Sequence, residues 1–478
     1  TASNNTAAGF GALGANTTGT GNVAVGSGSL DANTTSSDNT SVGYAALTAN
    51  TAANNTAVGS NALGGNTTGT YNTAVGRVAL YTNTTGSNLT GMGFDALRGN
   101  TTGNDNTAFG FQALRTNTTG VGNVGVGASA LRANTTGSNN TAVGKWALKT
   151  ATTAASNTAV GVFAMEDTTT GGYNTALGYA SLANHTTSGD NTAVGAESLF
   201  TLTTGNYNTA LGKEALYTNN ADHNTAVGND AMKLNTTGTQ NVAVGSAALN
   251  VNTTGAYVTA VGYQALVANT TGDHNTGLGK MALFANTTGT QNTSVGSNSL
   301  YTNTTGNYNT ALGYSALNLN TAGYNTALGH NALLVNTTGT YNTAVGNGAL
   351  DANTTASNNT AMGVSALTGN TTGTQNNAFG RQALAANTTA DYNNAFGYYA
   401  LAANTTGSVN NAFGRGALAN NTTSDANTAM GDYALAANTA AENSAFGYRA
   451  LYTNTTGTAL VAVGKNALYS NTTADHNT

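Results

Sequence analysis

The sequence predicts an all-β fold, a parallel β-solenoid (a β-roll or β-helix) with one coil per repeat of about 17 residues. Three observations predict it: one repeat occupies the whole chain, apolar residues hold fixed places within it, and turn-forming residues separate those places. Anchored on the glycine of Asn-Thr-Ala-Val-Gly, the repeat recurs at Gly9, Gly26, Gly43, Gly59, Gly76 and onward to Gly464. Those 27 steps comprise 23 of 17 residues and four of 16, which gives 28 coils. Residues 1–478 therefore read as a single continuous array. The chain opens and stops inside a repeat without a recognisable cap, which suits a segment of a longer array.

The unit is N-T-A-V-G-x-x-A-L-x-x-N-T-T-G-x-x, and each part has a physical reading. Thr-Ala-Val alternates as a short strand, and the glycine after it marks a corner. Four residues after the glycine stands Leu in 26 coils and Met in two (Met165, Met232). A column that admits nothing polar faces a core, so Leu13, Leu30, Leu47, Leu63 and Leu80 are expected inside. The residue before the glycine is Val, Leu, Met or Phe in every coil but the first, and Val25, Val42, Val58 and Val75 are expected to form a second core column. The position before the Leu is always Ala or Ser, the mark of close packing. The two positions after the glycine accept any residue and belong to the surface.

Asn-Thr-Thr-Gly is turn chemistry, because Asn and Gly tolerate positive φ and short polar side chains bond locally. The four short repeats lose their residue in this corner, at Asn50-Thr51-Ala52, Asn219-Asn220-Ala221, Asn320-Thr321-Ala322 and Asn438-Thr439-Ala440. The corner is thus a loop and the remainder a frame. Consecutive corners at Ala151, Thr168, His185 and Leu202 lack the Asn, and the sequence offers no account of them. Seventeen residues are too few for a helical repeat, and glycine in every unit opposes helix. Each coil buries only two large apolar side chains, so it depends on its neighbours through backbone ladders and stacked Asn or Thr side chains. At about 4.8 Å per coil, 28 coils would extend on the order of 130 Å.

Composition narrows the function. Charged residues are 6% of the chain and the net charge is −5, so 13 scattered Lys and Arg argue against nucleic-acid binding. No apolar run is long enough to span a bilayer. Catalysis needs unlike polar groups converging on one point, whereas a repeat aligns like groups in rows, so no catalytic residue, cofactor or metal site is expected and the chain reads as non-enzymatic. The five His residues are dispersed, and the calcium-roll motif G-G-x-G-x-D is absent. Asn-Thr-Thr corners are formal N-glycosylation acceptors, among them Asn16, Asn33, Asn66, Asn83, Asn100, Asn117 and Asn134. Tyr residues recur before the strand Asn (Tyr71, Tyr173, Tyr207, Tyr308, Tyr324, Tyr341, Tyr392) and after the Leu (Tyr81, Tyr217, Tyr301, Tyr452), in rows suited to sugars or to a neighbouring chain.

Segments such as Asn22-Val23-Ala24-Val25-Gly26…Ser29-Leu30 and Asn241-Val242-Ala243-Val244-Gly245…Ala248-Leu249 resemble the YadA-like, haemagglutinin-type head repeats of trimeric autotransporter adhesins. The resemblance covers the whole chain, although the coil here is longer through its Asn-Thr-Thr-Gly corner. It implies a left-handed parallel β-roll, a homotrimer and a role in surface adhesion. The expected function is a structural extracellular or cell-surface fibre segment, adhesive or coating, self-assembling head to tail or side by side. The alternative is a module that binds surface glycans or ice.

Overall fold

The computed structural model describes residues 2–478 and is a parallel β-solenoid of about 17 residues per turn, without α-helix. It has 28 strands of three residues each, β1 (Thr6–Ala8) to β28 (Val461–Val463). They fall into two units, one ending at Gln240 and the other starting at Asn241. The first holds β1 to β14 (Thr225–Val227) and the second β15 (Val242–Val244) to β28. The repeat itself does not change between them.

Within each unit every strand pairs in parallel with its equivalent in the next turn. Thr73, Ala74 and Val75 of β5 (Thr73–Val75) lie opposite Thr56, Ala57 and Val58 on one side and Thr90, Gly91 and Met92 on the other. The short repeats keep this register, with Val42 still opposite Val58, because the missing residue comes from the corner. Backbone ladders continue through the corners, as in Leu80 N–H to Ala96 O (2.9 Å) and Thr84 N–H to Thr101 O (2.9 Å).

Four residues per turn have positive φ. In one turn these are Gly76 (+134°), Val78 (+54°), Leu80 (+51°) and Asn88 (+60°). The Leu column has a specific requirement here. A left-handed residue costs about 1–2 kcal/mol, and β-branched side chains suffer most. Leu and Met branch later or not at all, and burial at roughly 1.5–3 kcal/mol offsets the strain. The column lies near φ +50° throughout and holds only Leu or Met. The glycine column has a different cause. A Cβ on Gly76 would lie 2.5 Å from the carbonyl oxygen of Gly93 in the next turn.

The interior agrees with the Leu column and corrects the Val column. Leu30, Leu47, Leu63 and Leu80 are fully buried, while Leu13 in the first turn is half-buried. The residue before the glycine faces outward: Val25 and Val58 are exposed, Val42 and Val75 half-buried, and none of the 28 equivalents is buried. A three-residue strand can turn only its middle side chain or its two ends inward. The middle position, Ala, Ser or Gly throughout, is the inward one. Small residues there and before the Leu make a narrow interior, which leaves room for polar side chains at two more columns.

Those columns are Asn. The strand-side Asn72 accepts at Oδ1 from Leu89 N–H (3.0 Å) and donates through Nδ2 to Gly86 O (2.9 Å). The corner Asn83 donates to Asn66 Oδ1 (2.8 Å) and Gly86 O (2.9 Å), and accepts from Asn100 Nδ2 (2.8 Å). Both columns are fully buried through most of the chain. A buried amide costs free energy unless bonded, and here the repeat supplies its partners.

The corner ladder breaks at defined places. Among the described residues the buried Asn carbonyls without a partner are those of Asn33, Asn134, Asn303 and Asn421. Asn33, Asn303 and Asn421 each precede a short corner, and Asn134 precedes Ala151. In a short corner the amide turns to the carbonyl two residues on, as Asn50 does to Ala52 O (2.6 Å), and a new run of rungs begins.

Candidate functional site: the outward columns

Side chains of one type stack along the axis, so the functional surface is a set of columns rather than a pocket. Among the described residues no group of three His, Cys, Asp or Glu is placed to hold a metal ion, and no helix is long and apolar enough to cross a membrane.

The acceptor Asn residues do not lie on this surface. Asn33, Asn66, Asn83, Asn100, Asn117 and Asn134 are fully buried, and Asn16 is half-buried in the first turn. Their Nδ2 atoms point into the ladder, so a glycan has neither a free amide nor a path to solvent. In the folded chain these formal acceptors serve as rungs, because the short side chain that makes the turn also fills the core. The adjacent Thr hydroxyls are also engaged, as in Thr84 Oγ1 to Thr101 O (3.0 Å).

The aromatic rows close where rings occupy successive turns, whereas Tyr71 and Tyr173 stand largely exposed. Tyr324 stands between Tyr308 (4.9 Å) and Tyr341 (5.0 Å), both within 19° of parallel. Tyr207 stacks on His223, and Tyr301 on Phe284. A ring between two others offers solvent only its edge and hydroxyl, which weakens the case for sugar stacking.

The outward column before the glycine is apolar in every turn after the first. It runs from Val25 to Val227 in the first unit and from Val244 to Val463 in the second. Phe379, Phe396 and Phe413 stack along it at 4.6 and 4.8 Å. Two residues earlier, on the same face, runs a column mostly of Thr.

In the Asn-free corners the replacing residues are buried as the Asn are elsewhere. Ala151, Thr168, His185 and Leu202 fill the corner column and are fully buried. His185 Nδ1 bonds to Thr168 Oγ1 (2.9 Å) and Nε2 to Ser188 O (2.5 Å). The carbonyl partner makes Nε2 the protonated nitrogen, so Nδ1 accepts from the Thr hydroxyl. Burial pushes the imidazole pKa below its ordinary value, opposed by the Ser188 carbonyl. Above a pH of about 6.5 the histidine is neutral folded or unfolded and leaves stability unchanged. Below it the unfolded chain takes up a proton that the fold refuses, and stability falls until the lowered pKa is passed. Melting temperature is therefore expected to drop from about pH 7 to about pH 5, and His185→Asn to remove that portion of the drop.

The chain matches no family model and no curated protein. Its likeness to adhesin head repeats is one of motif.

Proposed function

We propose that this chain is a structural, non-enzymatic fibre segment, extracellular or on a cell surface, whose copies associate side by side through the outward apolar column. The observation that carries this reading is the line of Val, Leu, Met and Phe that runs through each unit on a sheet face whose other outward column is mostly Thr. Each strand contributes about 10 Å of width and each turn about 4.8 Å of length, so 13 turns give a face of roughly 60 by 10 Å. Half of that face is the Thr column, so its apolar stripe is roughly 300 Å², a contiguous patch of a size that often marks an interaction site, and the face as a whole, roughly 600 Å², approaches the about 800 Å² per partner of a stable interface. A second copy is the fitting occupant, because only a partner with the same axial period stays in step over that many turns. The trimer implied by the adhesin resemblance is one closed form of such an association.

The triple variant Val42→Lys, Val75→Lys and Val143→Lys tests it. These side chains face outward, so the circular dichroism spectrum and melting temperature should change little. Assembly, followed by sedimentation and negative-stain microscopy, should be abolished. Assembly equal to that of the unaltered chain would overturn the proposal.

A further inference from the structure

The coil gathers cations that look dispersed in the sequence. Arg98, Arg115, Arg132 and Lys149 stand five residues after the anchoring glycine in four consecutive turns, all in the first unit, and are four of the chain's 13 Lys and Arg. Like charges one turn apart repel, so their stacking works against stability. Acidic neighbours compensate only in part. Asp95, itself buried, meets Arg115 Nε at 3.2 Å and Arg98 Nε at 4.0 Å, and Lys149 Nζ lies 2.9 Å from Glu166. Among the described residues Arg132 forms no ion pair. Two shallow grooves lie between the cations, one lined by Thr82, Gly99 and Thr116 and the next by Thr116, Ala133 and Thr150. They share Arg115 and Thr116, so they make one trough along the axis.

The floor of the trough alternates Thr with Gly or Ala. Thr82 and Thr116 donate their hydroxyls to the backbone carbonyls of Arg98 (2.7 Å) and Arg132 (2.8 Å), which fixes the turns that carry these cations. The hydroxyl oxygens keep lone pairs with which to accept a hydrogen bond.

We infer that this trough binds a linear acidic polysaccharide, a chain of uronic acid units lying along the solenoid axis with its carboxylates on the guanidinium groups. Arg forks pair with carboxylates in a bidentate, charge-assisted manner, and a single file of cations fits an extended polymer with one carboxylate per unit. Single-stranded nucleic acid fits less well, because it needs open aromatic faces for its bases. Here Lys145 and Lys149 lie over Trp146 at 4.4 and 4.6 Å, and Phe94 and Phe111 cover each other. This site is on a different column from the apolar face and does not depend on lateral assembly.

Binding of polygalacturonate, neutral dextran and oligo-dT is measured by titration calorimetry at low and high salt. The proteins are the full chain, the Arg115→Gln and Arg132→Gln double variant, and an Arg381→Gln and Arg415→Gln control. Sedimentation of each sample reports assembly separately. Polygalacturonate should bind and dextran should not. Affinity should fall with salt, and at least about tenfold in the trough variant but not in the control. Absence of polygalacturonate binding, equal binding by the trough variant, or tighter binding of oligo-dT than of polygalacturonate would each overturn the inference.

Discussion

Gly76→Ala is expected to destabilise the stack by about 4 kcal/mol or more. The new methyl would sit 2.5 Å from the Gly93 oxygen and 2.7 Å from its carbonyl carbon, both backbone atoms held by the next turn's own ladder. Neither atom can swing aside as a side chain would, so the two turns must separate. The backbone at φ +134° adds strain of about 1–3 kcal/mol for any residue with a Cβ. Gly91→Ala is the control. Its column holds Ala74 and Ala108 in the turns on either side, a Cβ there would meet nothing nearer than Leu80 Cγ at 3.2 Å, and the glycine is not left-handed, so the loss should be about 1 kcal/mol or less. Unfolding of a long array is not two-state, so local hydrogen exchange around residues 70–95 is the suitable measurement. Similar protection in both variants would show that the glycine column is not the tight contact described.

Asn83→Ala should cost about 3–5 kcal/mol. It removes the bonds to Asn66 Oδ1, Gly86 O and Asn100 Nδ2 and leaves the buried Asn66 Oδ1 unpaired, while Gly86 O keeps Asn72 Nδ2. Size is not the cause, since Ala151 occupies the same column and is fully buried. Asn134→Ala should cost less by about 1 kcal/mol, because Asn134 Oδ1 already lacks a partner and only the bonds to Asn117 Oδ1 and Gly137 O are lost. Chemical denaturation and exchange protection of the two variants compare them directly. Equal losses would mean that the rungs do not act as a ladder.

The fold was legible because it rests on spacing. A repeat too short for helices, with a strand, a glycine corner and an Asn-Gly turn, admits little besides a solenoid, and the Leu column identified one inward direction. From sequence one column is misread and one is read in part. Val75 reads as core because it is apolar, and the corner Asn reads as a turn and a stacked ladder without its burial. The three-residue strand sends Ala74 inward and Val75 outward, and the stack supplies each buried Asn with a partner 17 residues away. Hydropathy alone does not register a polar side chain whose bonds are provided by copies of itself. The cation ladder could have been found by aligning residues one repeat apart, which places Arg98, Arg115, Arg132 and Lys149 together.

A side-chain-resolution cryo-microscopy reconstruction of the assembled protein tests the proposed role most directly. The account predicts neighbouring copies in axial step, with Val58, Val75, Phe109 and Val143 of each sealed in a dry contact against the other. A map in which those side chains line open solvent while the copies touch through other columns, or do not touch at all, would contradict it.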